Sequence, residues 1–195
     1  MNIFLRLKHW QLFGLLIGIP FIFQIVGMTT VIASQDPTKM FIIFPPMMIL
    51  YMGIFFGWFY ALGVNLNKRL PATVKMSLTK FKWFLIIPAV YIVFFSIFIF
   101  GIFGGIFDSG KPNPVVIVDN FGIIFPLHIF SMFCIFYCLY FNAKSLKAVE
   151  WQRPITFSDY AGEFFLIWFF PIGIWIIQPR INKIFDETLQ AKKQI

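Results

Sequence analysis

Acidic side chains are scarce in this chain: eight Asp+Glu in 195 residues, with all charged residues together at 12%. A soluble domain carries about 25% charged residues, and disordered chains usually carry more, so both classes are excluded. Cysteine is nearly absent. Cys134 and Cys138 stand one helical turn apart in an apolar run. On a common helix they read as small buried hydrophobes, and a disulfide framework is excluded. Histidine is limited to His9 and His128. His9 would lie on the opposite face from His128, so the two do not bracket a haem. One histidine and two cysteines on one helix do not surround a zinc ion. No metal and no cofactor is expected. Phosphate-binding loop, nucleophile elbow, zinc-protease and dinucleotide motifs are all missing, as is the serial arginine spacing of a voltage sensor. No catalytic residue is assigned, and enzymatic activity is not expected.

What is present is apolar: 59% of the chain is hydrophobic and 29 residues are phenylalanine. Four charge-free runs cover 12–32, 40–64, 83–107 and 121–141. A bilayer core of about 30 Å needs about 20 helical residues, so each run is long enough to cross. Arg6 and Lys8 before the first run resemble the start of a signal peptide. That run is long for a signal sequence and holds Pro20 and Gln24, so it reads as a retained span. A fifth run, 164–177, has only 14 residues and contains Pro171 and Gly173. Its length fits a short tilted span, a re-entrant hairpin or an interfacial helix.

Charge favours one of these. The net charge is +8, but the cations are dispersed between apolar runs rather than gathered into a nucleic-acid-binding domain. With four spans and the N-terminus inside, fourteen Lys+Arg fall on the inner side and two on the outer. A fifth span would change that partition to ten against six. The positive-inside tendency therefore favours four spans with both termini cytoplasmic. The six tryptophans, Trp10, Trp58, Trp83, Trp151, Trp168 and Trp175, would all sit on the inner side of the midplane.

The expected fold is an all-α membrane protein with four transmembrane helices and a short membrane-embedded C-terminal helical module, re-entrant or interfacial. The domains are 1–153, the transmembrane part, and 154–195, the module. Both outer loops, 33–39 and 108–120, are too short for an independent domain. In the inner loop, Leu66, Leu70, Val74 and Leu78 recur every four residues among cations. This reads either as a basic amphipathic stretch on anionic headgroups or as a solvated linker. The helix of the fourth span is expected to continue to Trp151 and to stop before Pro154. A new helix starts near Thr156 or Ser158, with Asp159 and Glu163 in its first turns. A break is expected at 171–173, a turn at Gln178-Pro179, and a last helix over 180–193 with Ile181, Ile184, Phe185 and Leu189 on one face.

Three glycine pairs have the four-residue spacing that lets helices approach closely: Gly14/Gly18, Gly53/Gly57 (extended by Ala61) and Gly101/Gly105. They are candidate packing residues, within the chain or against another subunit. Pro20, Pro45, Pro46, Pro88, Pro126 and Pro171 read as structural kinks. The candidate functional polar residues are His128, Asp159, Glu163, Gln178 and Arg180. His128 is the one ionisable group inside the long runs, and it reads best as a neutral histidine bonded to a neighbouring helix. Asp159 and Glu163 share a helical face near Arg153 and Arg180. They read as a dipole-compatible helix start paired with arginines, or as a carboxylate pair.

The expected partners are the lipid bilayer with its anionic headgroups, and other membrane subunits, but no nucleic acid. Heavy use of Phe, Ile and Lys suits an AT-rich bacterial genome, which makes the bacterial inner membrane the expected location. The function expected is that of a non-catalytic accessory or scaffold subunit of a larger membrane complex. Two alternatives remain. One is a small transporter or lipid-handling protein with a site among Gln24, His128, Asp159 and Glu163. The other is a lipid-headgroup enzyme using Asp159, Glu163 and Arg180.

Overall fold

The computed structural model describes residues 3–36, 38–109 and 114–193, giving for 38, 41–42, 102–109, 114–121 and 187–193 the helix alone. Every regular element among them is helical. A short 3₁₀ turn, Ile3–Leu5, leads into α1 (His9–Phe13), a π-helical segment (Gly14–Gly18) and α2 (Ile19–Ser34). Then come α3 (Thr38–Asn67), α4 (Leu78–Ser109), α5 (Pro114–Trp151), α6 (Phe157–Trp168) and α7 (Phe170–Lys193). Four helices are long and apolar enough to cross a membrane, and they coincide with the four apolar runs. Residues 110–113 of the expected outer loop 108–120, Gly105 as a packing position, and Leu189 lie outside the described side chains.

The π segment has a local cause. Pro20 offers no N–H to the α-helical ladder one turn back. The wider turn, in which the Ile19 N–H reaches Gly14 O, accommodates it. At 38 residues, α5 is about 57 Å long, well beyond the bilayer core. Its last turns serve as a post for the C-terminal helices.

Those helices form a hairpin. Helix α6 runs antiparallel to α5, since Tyr160 meets the Tyr140 ring and Phe164 the Phe136 ring. With 12 residues it spans about 18 Å, too short to cross. The chain reverses at Phe169, where φ is −87° and ψ 54°. Helix α7 then returns past Phe13 and reaches the N-terminal turn. The reversal is tight enough that a Cβ on Gly173 would stand 1.6 Å from Leu166 O. The fifth apolar run is thus the bend of a helical hairpin.

Two expectations about this region are corrected. The break lies at Phe169, not at 171–173. Pro171 falls in the first turn of α7, where an N–H would lack a helical acceptor anyway. There is also no turn at Gln178-Pro179 and no separate helix over 180–193, because α7 is continuous through Pro179. The single ladder bond lost there is offset by packing, since Ile174, Ile177 and Ile181 are all fully buried. The helical reading of the inner loop is corrected as well. Residues 68–77 form turns, and Pro71 opens one of them, with Val74 N donating to Pro71 O at 2.9 Å.

The buried core gathers at the end of the bundle that holds this loop, the N-terminal turn and the hairpin. Leu12, Trp58, Phe59, Phe81, Phe141, Leu146, Ile174 and Ile181 belong to one cluster. Near its centre Gly63 admits the Phe81 ring, whose atoms come within 2.3 Å of where a Cβ would be. The opposite halves of the helices are thinly packed. Phe21, Ile25, Ile32, Phe94, Ile97 and Ile123 are exposed, and Gly27 is the one buried residue in α2.

Candidate functional site: an ion-pair cluster beneath the bundle

Where α5, α6 and α7 converge, four charged side chains meet. Arg180 on α7 donates from Nε to Glu150 Oε1 at 2.7 Å and from Nη2 to Glu150 Oε2. The same Nη2 reaches Glu163 Oε1 at 2.7 Å, and Lys147 Nζ reaches that oxygen at 2.9 Å. Sequence spacing accounts for half of this. Lys147 and Glu150 are three apart, so they share one face of α5, as Glu163 and Arg180 face it from the hairpin. The Glu163 side chain is only 6% exposed, so it depends on these partners. Burial opposes its ionisation, but the hydrogen bonds from Arg180 and Lys147 outweigh burial and hold the carboxyl below its usual range. The bonds to Glu150 raise the Arg180 guanidinium further above its ordinary value. Two cations and two carboxylates balance, and the cluster clamps the hairpin onto α5.

A group with a lowered folded-state pKa stabilises the fold at pH above its unfolded value, and that contribution is lost as pH falls through the folded value. For Glu163 the loss begins below the ordinary value of 4.5. Asp159 acts in the same window. Its lowering comes first from the Thr156 backbone N–H, which donates to Asp159 Oδ2 at 2.8 Å. The detergent-solubilised chain is therefore expected to keep a constant melting temperature from pH 7 to about 5 and to lose it progressively below. Glu163→Gln should flatten part of that decline, which a melting series from pH 7 to 3 would read. An unchanged acid limb would mean that Glu163 carries no linked proton.

Asp159 and Glu163 do not form a carboxylate pair. Asp159 caps α6 through Thr156 and lies 3.6 Å from Arg153. Glu163 belongs to the cluster. Gln178 is completely buried and bonds three ways. Trp58 Nε1 donates to its Oε1 at 3.2 Å, and its Nε2 donates to Phe4 O and Leu7 O, each at 2.9 Å. Asn182, one turn on, donates to Leu5 O at 2.8 Å and to Leu7 O. Together they supply donors to carbonyls of the N-terminal turn.

His128 is exposed on α5, with Nδ1 paired to the Tyr91 hydroxyl of α4 at 3.2 Å. Ser131, Cys134 and Cys138, farther along the same helix, are buried. Gln24 lines a narrow crevice between α2 and α3. Gln24 in its crevice, His128 against Tyr91, Asp159 at the start of α6 and Glu163 in the ion cluster therefore do not assemble into one site. No group of three His, Cys, Asp or Glu among the described residues could hold a metal ion.

The glycines divide in two. Gly57 admits the Phe4 ring, 2.8 Å from its absent Cβ, and Ala61 is fully buried. Gly14, Gly18, Gly53 and Gly101 face open space, with nothing within 4 Å. They make no close helix contact among the described residues.

Sequence reasoning missed Lys147, Glu150, Trp58, Asn182 and Asn142. The signal for the first two was present, as opposite charges three apart on a helical extension beyond a span. Asn142 is buried, donating to Phe59 O at 3.3 Å, and its Oδ1 has no partner. No spacing rule marks it. Among known proteins, no family matches the chain, no curated protein matches it and no solved structure matches it.

Proposed function

We propose that this chain is a four-span protein of the bacterial inner membrane, with both termini cytoplasmic, acting as a non-catalytic accessory or scaffold subunit of a larger membrane complex. The observation that carries the reading is the set of five glycines, Gly14, Gly18, Gly53, Gly101 and Gly122, that are open among the described residues and lie on helices long and apolar enough to cross a bilayer. A glycine inside a helix costs about 1 kcal/mol relative to alanine, so a glycine without a contact is a cost without a return inside the chain. Against another helix, the missing side chain permits close backbone approach. The thinly packed halves of α2, α4 and α5 support the same reading. The orientation rests on the cation partition, and on the loop, the N-terminal turn and the hairpin sharing one end of the bundle. The ion cluster fits a clamp, since its charges satisfy one another.

Gly18→Leu and Gly53→Leu together test this. The chain's own melting temperature should change little, since a Cβ at either position has no described neighbour within 4 Å. Partners that co-purify with the tagged native chain from its own membranes should be lost at least tenfold from the variant. Undiminished recovery, or a native chain that purifies alone and monodisperse, would remove the proposal.

A further inference from the structure

A pocket of about 640 Å³ opens beside the ion cluster, at the loop end of the bundle. Arg69, Val149, Glu150, Gln152, Arg180, Lys183 and Ile184 line it, so its walls carry three cations and one carboxylate. The carboxylate, Glu150, is engaged by two hydrogen bonds from Arg180. Arg69 and Lys183 have no carboxylate within ion-pair distance among the described residues.

Arg69 is held in place rather than free to swing into solvent. It stacks over the Phe185 ring, 3.9 Å from the centroid, and donates from Nη1 to Ile184 O at 2.6 Å. Its other guanidinium N–H groups find no acceptor in the protein among the described residues. Burial lowers its pKa from the ordinary arginine value, with no opposing carboxylate. A fixed, partly desolvated guanidinium with open donors is suited to an oxyanion such as phosphate, and Lys183 adds an exposed ammonium to the pocket wall. The level also fits. Trp151 lies one residue from the pocket wall, its ring flanked by Lys147 at 4.4 Å and Arg153 at 4.5 Å, the arrangement of an interfacial anchor.

We infer that this pocket binds a phosphate group through Arg69 and Lys183, with Arg180 completing the wall. The phosphate belongs either to the headgroup of an anionic phospholipid or to a soluble phosphate compound. This site is separate from the open glycine faces, and its test does not depend on a partner subunit.

The full chain is reconstituted in phosphatidylcholine bilayers containing phosphatidylglycerol and released for native mass spectrometry. In parallel, its melting temperature in detergent is followed against inorganic phosphate. Retention of one phosphatidylglycerol, without a phosphate-dependent shift, assigns the site to a lipid. A saturable shift with phosphate and no retained lipid assigns it to a soluble ligand. Lys183→Glu should weaken either signal about tenfold or more, the size of one charge-assisted contact. Lys183 is exposed and has no hydrogen bond or ion pair among the described residues, so this variant should fold and melt as the native chain does. Arg69→Gln should weaken the same signal. Binding that survives both substitutions, or a native chain that takes up neither probe, overturns the inference.

Discussion

Gly173→Ala is expected to be the most damaging single methyl group in the protein. The added Cβ would stand 1.6 Å from the carbonyl oxygen of Leu166 and 2.4 Å from its carbonyl carbon, both backbone atoms. No rotamer change relieves a backbone contact, so α6 and α7 must separate. Overpacking of this kind costs about 3 kcal/mol, the upper end of the usual range. The separation also withdraws Glu163 from Arg180 and Gln178 from the N-terminal turn. A fall in melting temperature together with protease cleavage near Phe169 would report it. Gly162→Ala, on the same hairpin with nothing near its Cβ, is the control and should be neutral or gain up to about 1 kcal/mol. Equal effects from the two substitutions would mean that the close approach is not tight in the folded protein.

Arg180→Leu should have the next largest effect. Arg180 is the shared cation between Glu150 and Glu163, and its removal leaves Glu163 buried with Lys147 alone. Breaking a buried pair from one side costs about 3–5 kcal/mol, because the remaining charge is stranded. Partial exposure of Arg180, 28% for its side chain, places the expected loss near the lower figure, about 3 kcal/mol. The double variant Arg180→Met with Glu163→Met should recover most of the loss, since it removes the stranded carboxylate and fills the space. Lys147 would still rest against the Trp151 ring and reach water. Melting temperatures of the two variants in one detergent decide the matter. A double variant no better than the single would mean that packing by Arg180, not its charge, holds the hairpin.

The four long helices were legible because each rests on one physical requirement, an unbroken apolar run of sufficient length. The start of α6 was legible too, because Thr156 and Asp159 carry their own local chemistry. The hairpin's bend was harder to place. Proline and glycine at 171–173 signal a break, yet the reversal falls at Phe169, and Gly173 serves the close approach of α6 to α7. Glycine spacing had the same ambiguity. Gly53 and Gly57 look alike in sequence, but Phe4 fills one notch and leaves the other open. Which notch is filled depends on a residue some fifty positions away. The candidate site was half legible for a related reason. Arg180, Glu163 and Gln178 stood out as polar groups in apolar surroundings, whereas their partners Glu150, Lys147 and Trp58 lie on other helices, and no local pattern announces such pairings.

The bond from Gln178 to Phe4 spans 174 positions. Synthesis at about 5–20 residues per second puts roughly 10–35 seconds between the two residues. Through that interval Gln178 and Asn182, which donate to the carbonyls of Phe4, Leu5 and Leu7, have not yet been made. The first helix is therefore tied to the last one only when that helix arrives. In the order of biogenesis, the beginning of this chain is among the last parts to be finished.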